Sequence, residues 1–340
     1  MGTSEFVVEW VAPAIRQSNL SELKAVVSRD PSRARGVAQL LDVERAVASI
    51  SALDPDEIDA VHLVVPNELH EPMTEEALSR GFHVLVEKPM APTVADARKM
   101  IAAAHAADRI LAVGHCMAWA PPVVAARERL SGGAIGRPLF ATISAGFDSP
   151  PAGLWRQDRR TDEGGGPLMD LGSHSVDVLL RLFGPASRVS CELSNVVHDY
   201  PAEDLASTLI RFASGAHAVM QTTFNCGRND LMIQGTGGRL TSREWLGRDF
   251  AGDLSWQSSD RGVGSFGEEA TTITESIPLI RTNVYVPQVD DVSSAILYGT
   301  PLSSDGGQGQ AVLEILEAAV RSAAEGRAIT IAEPSPVSAS

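Results

Sequence analysis

Apolar residues in the first third of the chain fall in short runs, separated by polar stretches with helical spacing. Residues 23–27, 59–65, 83–86 and 110–113 read as strands, and residues 31–41, 70–80 and 93–108 as helices. Pro66 and Asn67 stop the second run, Gly81 sits where a C-cap glycine would, and Thr93 can cap the third helix. Strand and helix alternating at this spacing predict right-handed βαβ units and a parallel sheet. Runs that are apolar on both faces, such as 61–65, fit a sheet covered on both sides.

The rhythm changes after Pro121. A helix over 121–130 leads to Gly132 and Gly133, then a strand over 139–147 and a strong helix over 167–182. Segments 189–197, 207–212, 216–224 and 231–235 alternate or carry β-branched residues, the pattern of an antiparallel sheet. Residues 311–324 form an amphipathic helix closed by Gly326. The Pro/Ser-rich tail 333–340 is expected to be disordered. The fold class that follows is α/β: a parallel-sheet domain over 1–120, then an α+β domain with a mostly antiparallel open sheet over 121–332.

Composition narrows the partners. The 340 residues carry a formal net charge of −15, which argues against nucleic acid and weakly against anionic membranes. No run is long and apolar enough for a membrane span, and no signal peptide is evident. The three cysteines are scattered, so neither a zinc site nor a disulfide framework is expected, and a cytoplasmic location is.

Three segments carry candidate chemistry. Val86-Glu87-Lys88-Pro89 ends a parallel strand, where ligands of open α/β sheets bind, and the Lys88–Pro89 bond is a candidate cis peptide. Alone, it reads more readily as a solvated lysine in a turn. Gly164-Gly165-Gly166-Pro167-Leu168-Met169-Asp170-Leu171-Gly172-Ser173-His174 places a carboxylate and an imidazole four apart on one helix face. Asp170 can orient the ring or raise its basicity; the plain alternative is a surface pair. Trp155 and Arg156 offer an aromatic and a planar cation that could hold a ring or a phosphate, or simply pack.

Together these segments resemble the glucose–fructose oxidoreductase / inositol dehydrogenase / rhizopine-catabolism (Gfo/Idh/MocA) family. Val65-Pro66-Asn67-Glu68-Leu69-His70, Gly81-Phe82-His83-Val84, Val113-Gly114-His115 and Asp290-Asp291-Val292 match it too, and the resemblance spans about 12–331. It implies NAD or NADP in an N-terminal Rossmann domain. It also implies a sugar, cyclitol or related polyol on the open sheet of the second domain, and a homodimer or homotetramer formed through that sheet. Lys88, Asp170 and His174 would be catalytic, with His174 exchanging the proton. Pro66, Asn67, His70, Glu87, Lys88, Trp155 and Arg156 would meet the cofactor.

The sequence departs from the family at three places. No apolar strand with a G-x-G-x-x-G turn opens the chain, so the first strand and its glycine turn are missing from the pattern. Three accounts stand: a chain that starts downstream of the strand, a strand made by residues 6–11, or a family-shaped ligand sensor or scaffold that has lost the cofactor. The end of the first predicted strand reads Ser28-Arg29-Asp30. Ser28 and Arg29 could hold a 2′-phosphate, which tilts the expectation toward NADP, while Asp30 could simply cap a helix. Ala118 stands where many relatives place an arginine.

Overall fold

The computed structural model describes residues 1–149, 153, 156–258 and 273–331, so the predicted tail 333–340 lies outside the described residues. The chain divides into two compact units. The first is 1–120 with 247–250 and 281–313; the second is 121–246, 251–280 and 314–340. The two later segments of the first unit lie far along the chain from the rest of it. Among the described residues no helix is long and apolar enough to cross a membrane.

In the first unit, β1 (Ala25–Val27) pairs in parallel with β2 (Arg45–Val47). Separately, β3 (Ala60–Leu63), β4 (His83–Val86) and β5 (Leu111–Val113) form a parallel three-stranded sheet in that order. Val84, Val86, Leu63 and Val113 are fully buried, as expected of strands covered on both faces. A π-helical turn, Val7–Val11, runs into α1 (Ala12–Gln17), which rules out residues 6–11 as the missing strand. Helices α2 (Pro31–Leu40), α3 (His70–Ser79) and α4 (Val94–Ala107) follow β1, β3 and β4. Asp30 caps α2, accepting from the Ser32 and Arg33 N–H groups, and the Ser32 hydroxyl foremost holds its pKa below the usual value. Thr93 caps α4. Strand β2 was not legible in the sequence: Arg45-Ala46-Val47 is only half-buried and lacks an apolar run.

The parallel sheet is split where a middle strand would lie. Among the described residues, Met1 and Gly2 bridge the gap: Gly2 N–H donates to the Val27 carbonyl at 3.1 Å and Val64 N–H to the Met1 carbonyl at 2.9 Å. Beyond them lies a cavity of about 520 Å³, lined by Val26, Ile58, Val61, Leu85 and Val292 among others. The Met1 ammonium donates to the His62 carbonyl, and burial lowers its pKa from 8.0 to about 5.

The second unit is built on a nine-stranded mixed sheet, counted among the described residues. After α5 (Pro121–Ser131) come β6 (Pro138–Gly146), α6 (Gly166–Phe183), β7 (Ala186–Ser194), β8 (Leu205–Phe212), β9 (His217–Thr223), β10 (Leu231–Gly235) and β11 (Gly238–Ser242). From one edge the order is Thr274–Ser276, Ser255–Ser258, β11, β10, β6, β9, β8, β7, Ile329–Thr330. All neighbours are antiparallel except β6 and β9. Helix α6 packs on β6, β8 and β9 and buries Leu168, Leu171, Val178 and Leu179. Two helices complete the chain: α7 (Tyr285–Tyr298), which the sequence pattern did not reveal, and α8 (Gly306–Glu325).

The buried ammonium makes a testable statement about stability. Its pKa is depressed in the folded state, so between about pH 5 and pH 8 the unfolded chain binds the extra proton. Stability is therefore present above pH 8 and is lost as pH falls through about 5. Acetylating Met1 should raise Tm at pH 5 and leave it unchanged at about pH 9. Equal shifts from acetylation at the two pH values would reject the buried-ammonium account.

Candidate active site

Strands β4 and β5 are buried over most of their lengths and β3 at alternate positions; apart from His62 in β3 and His83 in β4, the polar side chains here stand past the carboxyl ends. That edge gathers most of the expected cofactor residues. Ser28 follows β1, its N–H bonded to the Val47 carbonyl at 3.1 Å, and Arg29 beside it is exposed. Pro66 and the buried Asn67 follow β3. Glu87 and the half-buried Lys88 follow β4, and the Lys88–Pro89 peptide is cis. Glu87 is 9% exposed, and its Oε1 lies 3.2 Å from His62 Nε2. A Cβ on Gly114 would come within 3.0 Å of the Glu87 carboxylate, so only glycine lets β5 end so close to it.

His70 has surroundings that the sequence did not suggest. The resemblance implied a cofactor contact, yet the ring is fully buried. Nδ1 lies 3.0 Å from the Pro89 carbonyl and Nε2 3.0 Å from the Val65 carbonyl. Burial, opposed only in part by those carbonyls, holds it below its usual pKa. The ring ties the turn after β3 to the turn carrying Lys88.

Gly2 has a conformation that the sequence did not reveal. Gly2 has φ +123°, and a Cβ there would lie 2.3 Å from the Val64 carbonyl oxygen. A side chain cannot fit, because the Val64 backbone fills that space. The signal in the sequence is Gly2-Thr3-Ser4 just ahead of a helical apolar run. Beside that turn, Arg248 lies over the rings of Phe6 and Trp10 at 5.4 and 5.5 Å, and Phe6 meets Tyr285 edge-on. Its neighbours in this arrangement come from residues far apart in the chain.

The second unit holds Arg156, Asp170 and His174. Asp170 and the half-buried His174 stand one turn apart on α6, as their spacing predicted. Arg156 Nη1 donates to Asp170 Oδ2 at 2.9 Å, with the two side chains 29% and 16% exposed. Arg156 therefore has a partner that the sequence did not suggest. Trp155 lies outside the described residues. The face of α6 opposite this pair is fixed by apolar packing, and a buried Asp177–Arg181 ion pair at 2.9 Å locks its last turns. Ala118, in the turn Cys116–Trp119, is 2% exposed, so no cation stands at that point.

The first 115 residues match a family model described as "Oxidoreductase family, NAD-binding Rossmann fold", and residues 123–241 match the GFO/IDH/MocA C-terminal domain. A 1,5-anhydro-D-fructose reductase from Ensifer adhaerens is 31% identical, over 97% of this chain and 97% of its own length. The chain belongs to the Gfo/Idh/MocA oxidoreductase family. Among other family members, the D-xylose 1-dehydrogenase (NADP(+)) 2 of Haloferax volcanii is 27% identical over 97% of this chain and 98% of its own. An aldose–aldose oxidoreductase from Caulobacter crescentus, solved with glycerol, superposes with a TM-score of 0.82. It is 27% identical and covers 97% of this chain and 98% of its own.

The family binds a nicotinamide cofactor, and the carboxyl ends of the three parallel strands β3, β4 and β5, at Pro66, Glu87 and Gly114, are the kind of edge where α/β sheets take such a ligand. Such a cofactor, when bound, supplies the hydride chemistry; the protein supplies position and charge.

The link that His70 makes between the two turns is open to test. Truncating a fully buried ring that links two turns should cost about 3 kcal/mol of stability. His70→Ala should show that loss in denaturant unfolding, while the folded fraction binds NAD(P)H with unchanged Kd. A lower affinity at full stability would restore the ring to the cofactor site.

Proposed function

We propose that this family member oxidises or reduces a secondary hydroxyl or keto carbon of a sugar, cyclitol or related polyol, with NAD or NADP as the redox partner. The observation that carries the reading is the Asp170–His174 pair on α6, with Asp170 held by Arg156. The named activities of the relatives support the substrate class: a 1,5-anhydro-D-fructose reductase and a D-xylose dehydrogenase span nearly the whole chain.

The chemistry assigns the roles. Taking hydride from a carbinol leaves negative charge on oxygen unless the proton departs too. A neutral imidazole at His174 can take that proton near neutral pH, and return it in the reductive direction. Asp170, fixed by Arg156, orients the ring or the substrate. The Lys88 ammonium stabilises the alkoxide as it forms. Ser28 and the exposed Arg29 suit a 2′-phosphate better than a bare 2′-hydroxyl, since no acid is placed first at that strand end. The exposed Cys226, with Cys116 and Cys191 also free thiols, fits a reducing compartment such as the cytoplasm.

The open face of the sheet supports a self-assembly reading. Phe140, Leu209 and Val219 are 41%, 47% and 42% exposed on adjacent strands, with Leu209 directly opposite Val219. A second copy presenting the same face would bury this patch around a twofold axis, giving a homodimer or, with a further interface, a homotetramer.

Two experiments address these readings. Assayed with D-xylose and 1,5-anhydro-D-fructose in the two reaction directions, Lys88→Ala and His174→Ala should each lose at least about 100-fold in kcat while staying folded. NADPH should bind more tightly than NADH, and Arg29→Ala should erase the difference. Full turnover in either catalytic variant sinks the role assignment, and a folded protein that binds neither cofactor favours the sensor. Separately, Val219→Asp should convert a dimer or tetramer to monomers in light scattering; a monomeric parent protein would remove the interface.

A further inference from the structure

Helix α6 presents Asp170 and His174, yet its own N-terminus has no side-chain cap: Gly165 occupies the N-cap position. The orphan N–H of Leu168 is instead met from 35 residues away, by Glu203 Oε1 at 2.8 Å. The other carboxylate oxygen accepts from the Thr161 hydroxyl. Glu203 is 4% exposed and stands just before β8, between Ala202 and Asp204, both fully buried.

The same carboxylate shapes the glycine turn. Gly166 has φ +79°, and a Cβ there would fall 2.0 Å from Glu203 Oε2. A Cβ on Gly165 would fall 1.9 Å from the Arg159 carbonyl oxygen. Gly166 N–H donates to the Arg156 carbonyl at 2.8 Å, and the Arg156 guanidinium holds Asp170. A continuous chain of contacts therefore runs from Glu203 through the turn to Arg156, and from Arg156 to the Asp170 carboxylate.

We propose that Glu203 is a positioning residue for the Asp170–His174 pair. Its carboxylate acts as a remote cap that sets the first turn of α6, and through Gly166 and Arg156 it sets the orientation of Asp170. This rests on the catalytic reading of that pair. Glu203 touches neither partner of the pair in this scheme; it acts through the turn.

Its titration supplies a readout that packing alone would not move. Burial first, then the Asp204 charge, raises its pKa from 4.5 to about 7, against the hydrogen bonds from Thr161 and Leu168. The other titratable neighbours are Cys191 and Tyr200. Burial first, and the Glu203 charge among the lesser causes, raises them to about 11 and about 12, so neither ionises near neutrality. The cap is thus fully charged only above about pH 7.

The test uses the full chain with D-xylose and NADP(+). Glu203→Gln can still accept from Leu168 N–H, and the Thr161 hydroxyl can turn to accept from its amide. It should keep kcat within about threefold, with the pH profile of kcat losing one ionisation near 7. Glu203→Ala should lose kcat about tenfold or more, with KM and cofactor Kd within about twofold of the parent. Parent-like kcat in Glu203→Ala overturns the proposal, as does a loss in Glu203→Gln equal to that in Glu203→Ala. If Glu203→Ala does not fold, the Glu203→Gln profile decides: an unchanged ionisation near 7 overturns it. His174→Ala run alongside separates the two readings, because parent-like turnover there removes the catalytic assignment whatever Glu203 does.

Discussion

Parallel pairing of strands that are buried on both faces decides where chemistry can sit in the first unit. Leu63, Val86 and Val113 lie side by side in register, and each is fully buried. No polar side chain is tolerated within that layer without a partner. Glu87 and Lys88 therefore appear at the first positions past the layer, and Gly114 appears where the neighbouring strand must leave room for a carboxylate. The position of the candidate cofactor edge is a consequence of burial, and the loops only decorate it.

The gap between β1 and β3 is the costly feature of that unit. A parallel sheet interrupted at its middle leaves backbone groups on both flanking strands with few partners, and Met1 and Gly2 supply only a few of the missing bonds. The Met1 ammonium sits out of water at the mouth of the resulting cavity. Gly2 has φ +123° and packs its backbone against the Val64 carbonyl, where a Cβ would not fit.

The second unit solves a different problem. An open sheet with α6 on one face gives the helix a rigid floor, and the apolar stripe of α6 sets its rotation, which carries Asp170 and His174 to the opposite side. Buried acids do the remaining anchoring. Glu203 holds the glycine turn, and its neighbour Asp204 accepts three backbone N–H groups from Val196, Val197 and His198. Two adjacent carboxylates thus anchor two loops that precede β8, and the Arg156–Asp170 ion pair joins one of them to the helix.

Local pattern was enough for much of this. The four strand runs, the caps at Asp30 and Thr93, the one-turn spacing of Asp170 and His174 and the strand-end place of Lys88 all depend on contacts within a few residues, which sequence records directly. Strand β2, helix α7 and the return of 247–250 and 281–313 to the first unit did not show, because weakly apolar segments take their structure from what they pack against. The same reason hid the fate of His70, whose neighbours Val65 and Pro89 come from two different turns, and the partner of Arg156. Sequence determined which residues could carry charge, protons and turns. Tertiary structure alone decided which of them meet, since hydrogen bonds and ion pairs form between groups that the folded chain, and not the linear one, brings within about 3 Å.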